Sequence, residues 1–229
     1  MNQESLAYKT ELFNYLCECI SENKINLFSK IIEYRTKHAT VVLEDIYQPQ
    51  NASAVLRTCD CFGIQDIHII ENKNKYEINP DVALGSSKWV NLIKYNQQEK
   101  NTLACIHELK NQGYRIVATT PHKDDVHLED FNIDSKFALF FGTEMHGLSK
   151  EMIDHADEYL KIPMFGFTES FNISVSAAII TSNIISRIHK STIKWKLSEE
   201  DKIDTLLNWA RNVVKKSDLL EKDFQRKRL

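Results

Sequence analysis

The chain has 229 residues, 42% hydrophobic and 27% charged, with a net charge of -3, which is the balance of an ordinary globular protein with one full core and length to spare for terminal appendages. No apolar run approaches the roughly 18 residues needed to cross a bilayer, and Met1-Asn2-Gln3-Glu4-Ser5 has neither the basic flank nor the apolar stretch of a secretory signal, so a cytoplasmic location is expected. Five cysteines (Cys17, Cys19, Cys59, Cys61, Cys105) leave one unpaired in any disulfide scheme and sit at no zinc-ligand spacing, so they read as reduced, small apolar residues and no metal is expected.

In chain order, Leu12, Phe13, Leu16 and Ile20 fall on one helical stripe and Ile25, Phe28, Ile31 and Ile32 on another, with Glu22-Asn23-Lys24 between them. Residues 1–36 therefore read as a helical extension of one or two helices. Val41-Val42-Leu43 opens a β/α alternation. Strands are expected at Ile67–Ile70, Trp89–Ile93, Tyr114–Ala118, Phe137–Phe141 and Glu158–Ile162, with a helix from Thr102 to Asn111 ended by Gly113. Several strands are continuous apolar runs, as in sheets covered by helices on both faces. A helical pattern runs from Ile173 to about His189, and Ser198 with Asp201 forms a capping box for a last helix through Leu206, Leu207 and Val213. The expected organisation is one α/β domain, 37–190, between helical extensions at 1–36 and 191–229.

Between the first strand and Gly63, a helix is expected from near Asn51 to Phe62. Val55, Thr58, Cys59 and Phe62 form its buried side, leaving Ser53, Arg57 and Asp60 on the other. Taken alone, Arg57 and Asp60 suit a surface ion pair, and Asn51 suits an N-cap. The strand Phe137–Phe141 runs into Gly142-Thr143-Glu144, at the end of an α/β sheet where ligands bind; Gly142 permits close approach to the backbone, and Glu144 suits either a cationic ligand or the start of the helix after Ser149. Ile162-Pro163-Met164-Phe165-Gly166 is a rigid turn leading into Ser170-Phe171-Asn172 and a helix with small residues at Ser174, Ala177 and Ala178. That helix permits a close approach, by a nucleoside or by a second subunit. Asn172 also suits a helix cap. The C-terminal stretch concentrates Arg211, Lys215, Lys216, Lys222, Arg226, Lys227 and Arg228, which suits either a polyanion or a solvated helix end.

The segments Leu43–Cys59, Phe140–Ser149 and Ser170–Ala178, in this order, resemble the three motifs of the SPOUT class of RNA methyltransferases, and within it the TrmH-type enzymes. The resemblance spans about Thr40 to Ile188. It departs at Met145-His146, where some tRNA relatives carry Lys-Trp, and at Phe171, where leucine is usual. It implies an α/β fold with a largely parallel sheet and a C-terminal trefoil knot, S-adenosylmethionine as cofactor, and a homodimer. The implied reaction is 2′-O-methylation of a tRNA ribose, with guanosine 18 of the D-loop suggested by the paired terminal extensions. The implied catalytic residues are Arg57, Asn51, Glu144, Ser170 and Asn172, with cofactor contacts around Thr119, Gly142, Ile162 and Phe171. Lys88, in a Gly85–Trp89 segment that also matches, joins Lys215, Lys216, Arg226, Lys227 and Arg228 as expected RNA contacts. Arg57 would either align the 2′-hydroxyl or act as its base, and a guanidinium is a poor base. Ribosomal RNA, another tRNA position and a non-catalytic RNA-binding scaffold are the alternatives. A nicotinamide enzyme would need a Gly-x-Gly-x-x-Gly turn, which is absent.

Overall fold

The computed structural model describes residues 5–121, 123, 126–143 and 146–228. The chain divides into two compact units, Thr36–Trp195 and a second made from both termini, Met1–Arg35 with Lys196–Leu229. The extensions expected at 1–36 and 191–229 thus meet in one body, with Thr36 and residues 191–195 belonging to the larger unit.

In the larger unit the described strands are β1 (Ala39–Glu44), β2 (Asp66–Ile70), β3 (Asn91–Tyr95), β4 (Arg115–Thr119), β5 (Val126–His127), β6 (Phe137–Phe141) and β7 (Glu158–Lys161). They form one sheet in the order β3-β2-β1-β6-β4-β7-β5, with every neighbouring pair parallel. Side-chain alternation decides which layer each residue meets. Phe137, Leu139 and Phe141 of β6 join a core with α3 (Pro49–Cys61) and α7 (Ile173–Lys190), while Ala138 and Phe140 join another with α5 (Asn101–Asn111) and α6 (Lys150–His155). All six residues of β1 are buried, which is why its central Val41-Val42-Leu43 is apolar without alternation.

Local signals place α3. Pro49 occupies its first turn, where a missing N–H costs nothing, and Gly63 follows its end at φ 77°. The helix therefore begins two residues before Asn51, which sits inside the first turn and is not the N-cap. A short helix, α4 (Pro80–Ala83), and a 3-10 turn at Ser86–Lys88 precede β3. Trp89 belongs to this turn, so the strand expected from 89 starts at Asn91.

The smaller unit holds α1 (Leu6–Cys17), α2 (Glu22–Ile32), α8 (Glu199–Val213) and α9 (Ser217–Lys227). Leu12, Leu16, Phe28, Ile203, Leu207 and Trp209 are buried in it, and Phe28 packs on Trp209 with ring centroids 5.4 Å apart. Glu22 starts α2, so the break between the first two helices falls before it, after the C-cap Glu18. The Ser198 hydroxyl caps α8 by accepting the Asp201 N–H at 3.1 Å. Arg211 grips Glu221 through Nε and Nη2 at 2.7 and 3.0 Å, linking α8 to α9, and Phe224 of α9 packs on Tyr8 of α1 with ring centroids 5.6 Å apart.

Candidate active site

The C-terminal ends of β4, β6 and β7 lie side by side, and a cavity of about 210 Å³ opens there. Thr119, Gly142, Ile162 and Phe171, the residues expected around a cofactor, all line it, and so does Ser170. Three segments far apart in sequence thus form one wall. Further lining comes from His146, Met164 and Ser176, which were not expected. Ser176 follows Asn172 by one helical turn, its N–H bonding the Asn172 carbonyl at 2.9 Å, so the i, i+4 spacing was the available signal.

Gly142 has a different reason from the one its sequence context suggested. What approaches its backbone is the chain itself. A Cβ there would overlap the backbone of Gly147 and Leu148. Thr143 and Gly147 form an antiparallel bridge, with N–H to carbonyl bonds of 2.9 and 2.8 Å. The segment therefore doubles back on itself and turns its Gly142, Thr143, His146 and Gly147 toward the cavity. Glu144 and Met145 lie outside the described residues. The Thr119 hydroxyl donates to the Phe140 carbonyl at 2.7 Å, tying β4 to β6 at the cavity floor.

Asn172 joins the first and third motifs. Its Nδ2 donates to Asn51 Oδ1 at 3.1 Å, while its Oδ1 accepts the Ser174 N–H at 2.9 Å and so caps α7. Asn51 in turn donates to Gln48 Oε1 at 2.9 Å. Asn51 is nearly buried, and this pairing satisfies its amide. Ser53, expected on the exposed side of α3, is fully buried, because Asn79 covers it and donates its N–H to the Ser53 hydroxyl at 2.8 Å.

Arg57 lies six residues along α3 from Asn51, about 9 Å at 1.5 Å per residue. It is exposed and is not among the residues that line the cavity of its own chain. Among the described residues no ion pair or hydrogen bond involves it, so the pairing with Asp60 that its spacing allowed does not form. Phe165 and Phe167 are fully exposed, and Phe171 and Val175 are 43% exposed. An aromatic surface in water thus adjoins the third motif.

The expected RNA contacts Lys88, Lys215, Lys216, Arg226, Lys227 and Arg228 are all exposed. Lys227 pairs with Asp223 at 2.8 Å, an interaction that raises its pKa, and donates to the Tyr15 hydroxyl at 3.2 Å; Arg228 pairs with Glu11 at 2.8 Å, its guanidinium over the Tyr8 ring at 5.1 Å. The contacts with Tyr15, Glu11 and Tyr8 fasten α9 to α1. Among the described residues, no group of His, Cys, Asp and Glu could hold a metal ion, and no helix is long and apolar enough to cross a membrane.

Residues 38–182 match the model of the SpoU rRNA Methylase family. The chain belongs to the SpoU methylase family. A tRNA (guanosine(18)-2'-O)-methyltransferase of Borreliella burgdorferi is 47% identical over 206 residues, covering 90% of this chain and 93% of that protein. The Aquifex aeolicus enzyme of the same name is 30% identical over 86% of this chain and 93% of its own length. The crystal structure of an A. aeolicus TrmH/SpoU tRNA modifying enzyme superposes with a TM-score of 0.75 at 31% identity, covering 85% of this chain and 98% of that one. The SpoU match begins one residue before β1 and ends within α7, so it contains the whole sheet and every residue that lines the cavity.

Proposed function

We propose that this SpoU-family protein is a tRNA methyltransferase that methylates the ribose 2′-hydroxyl of guanosine 18, using S-adenosylmethionine and acting as a homodimer. The observation that carries the reading is that the second and third motifs wall one cavity, while the Asn172–Asn51 hydrogen bond ties the first motif to the third. Relatives named for this reaction match nearly the whole chain, terminal helices included, which favours tRNA over ribosomal RNA as substrate.

The cavity suits the cofactor. Apolar side chains such as Leu160, Ile162 and Ile180 make a slot for a nucleoside, and hydroxyls from Thr119, Thr143, Ser170 and Ser176 supply neutral polar groups. Among the described lining residues there is no lysine or arginine to repel a positively charged sulfur. When bound, S-adenosylmethionine supplies an electrophilic methyl group on that sulfonium.

The rest of the chemistry falls to this chain. Arg57 is too basic to act readily as a proton acceptor. It stays charged and holds an RNA phosphate and the 2′-hydroxyl in line, a contribution of about 7–11 kcal/mol in well-aligned reactions. Ser170 and Asn172 present polar atoms where the ribose enters, and Asn51 fixes Asn172. Because Arg57 does not line its own cavity, the dimer brings it to the cavity of the second copy. The aromatic surface of Phe165, Phe167 and Phe171 is the contact that makes this possible. Fully burying one such ring contributes about 1.5–3 kcal/mol. The trefoil knot belongs to the same proposal, as does binding of tRNA phosphates by Lys88, Lys215, Lys216 and Arg226.

The test is methyl transfer from labelled S-adenosylmethionine to unmodified tRNA transcripts carrying guanosine or adenosine at position 18, with ribosomal RNA alongside. Label confined to the guanosine-18 transcript is expected. Equal labelling of both transcripts, or labelling of ribosomal RNA alone, overturns the assignment.

A further inference from the structure

β1 ends on a carboxylate where its preceding positions are apolar or small. Glu44 is only 3% exposed, and both its oxygens are engaged. Oε1 accepts the Thr102 hydroxyl and the Ser149 hydroxyl, each at 2.7 Å, and Oε2 accepts the Ser149 backbone N–H at 2.8 Å. Thr102 belongs to the first turn of α5, and its hydroxyl also accepts Asn72 Nδ2 at 2.9 Å. Ser149 caps α6, accepting the Met152 N–H at 3.1 Å, and closes the segment that starts at Gly142 and walls the cavity.

A carboxylate withdrawn from water is unfavourable unless each lone pair finds a donor. Here the donors come from two directions. Thr102 anchors the carboxylate to α5, on the far side from the cavity. Ser149 donates two bonds, one from its backbone N–H and one from its hydroxyl, which fixes both its position and its rotamer. The cavity wall is then held at two places: at its base by the Thr143–Gly147 bridge and at its exit by Glu44. Leu148 adds an apolar contact between these two polar anchors. Glu44 does not line the cavity and contacts none of the reacting atoms, so the chemistry above leaves it without a task.

We infer that Glu44 is a positioning residue that clamps the Gly142–Ser149 segment to the sheet, preforming the cofactor cavity and setting its affinity. The identity of the ligand rests on the methyltransferase reading; the clamp does not.

Three variants of the full chain separate this from general stabilisation. Glu44→Gln and Ser149→Ala each remove a bond between the carboxylate and the segment. Thr102→Val removes a bond of the same kind from the other side of the same carboxylate. S-adenosylmethionine affinity by calorimetry is expected to weaken about tenfold for the first two, the scale of one charge-assisted hydrogen bond, and less than about twofold for Thr102→Val. Amide hydrogen exchange at Gly147 and Leu148 of the cofactor-free protein is expected to quicken by a similar factor in the first two only. In turnover, KM for the cofactor rises with little change in kcat. Equal effects of Thr102→Val and Ser149→Ala, or no effect of Ser149→Ala, overturn the clamp. Should Glu44→Gln fail to fold, the Ser149→Ala and Thr102→Val pair decides alone. If the wild-type chain binds no S-adenosylmethionine, the methyltransferase reading fails, while the exchange comparison still decides the clamp.

Discussion

Asn172 has two jobs that one substitution separates. Its Oδ1 caps α7 through the Ser174 N–H, and its Nδ2 reaches Asn51 across 121 positions of sequence. Asn172→Ala loses both: about 1 kcal/mol for the cap and about 1 kcal/mol for a neutral hydrogen bond. For a chain of this length that sum lowers Tm by about 4–8 °C. Asn172→Asp keeps the cap, since aspartate is as good an N-cap as asparagine and its charge suits a helix N-terminus. It loses the donor and sets a carboxylate against Asn51 Oδ1. The expected Tm drop is therefore about half that of Asn172→Ala, about 2–4 °C, whereas kcat falls on the order of 100-fold, the penalty for about 1 Å of misplacement at a reacting centre. Thermal unfolding monitored by circular dichroism and single-turnover methylation under saturating tRNA measure the two quantities. A wild-type kcat in Asn172→Asp would refute the claim that the bond between the first and third motifs aligns the site.

Arg57→Ala is expected to leave Tm within about 2 °C, because the side chain is exposed, while kcat drops at least about 10³-fold; Arg57→Lys does not restore it, since an ammonium lacks the planar fork. Mixing Arg57→Ala chains with Gly142→Val chains should recover activity, because a mixed dimer carries one intact cavity facing one intact arginine; no recovery after confirmed subunit exchange counts against service across the interface. Gly142→Ala, whose Cβ would overlap the backbone of Gly147 and Leu148, is expected to abolish cofactor binding in calorimetry while far-ultraviolet dichroism stays close to wild type. Burial pushes His68 down to about 4 from 6.5. The unfolded chain takes up this proton below pH 6.5 and the folded chain only near 4, so stability present above pH 6.5 is lost as pH falls toward 4, by about 3 kcal/mol in all. Urea unfolding at pH 7 and pH 4.5 should show that loss in the wild type and its disappearance in His68→Gln; identical pH slopes would refute the assignment.

What could be read from the sequence followed from how locally each feature is encoded. The strand Phe137–Phe141 is an unbroken apolar run and Ile67–Ile70 is interrupted only by His68, and both fall where expected, because burial on two faces needs no partner information. The capping box at Ser198 and the stop at Gly63 are equally local. Features that depend on a distant partner were missed. Ser53 looked solvent-facing by helical phase, and only Asn79, 26 positions later, buries it. The two-residue β5 exists because β7 offers it an edge. Helix α9 follows the last helix expected from the sequence, and the ion pair of Arg211 with Glu221 joins the two.

The site itself shows the same division more sharply. Its motifs could be recognised as segments, yet nothing in the order of residues says that Glu44 would meet Ser149 at a separation of 105 positions. A glutamate at the end of a buried strand should have prompted a search for donors, since an unpaired charge there would not survive folding. Arg57 poses the opposite problem. It is legible by motif, but its own chain gives it no partner among the described residues, and the neighbouring third motif leaves Phe165 and Phe167 entirely in water. A lone arginine and two exposed rings would each be unremarkable on a surface; together, beside a cavity with no lysine or arginine among its described lining residues, they are what a self-complementary interface would need. In the proposed dimer the catalytic geometry is a property of two copies.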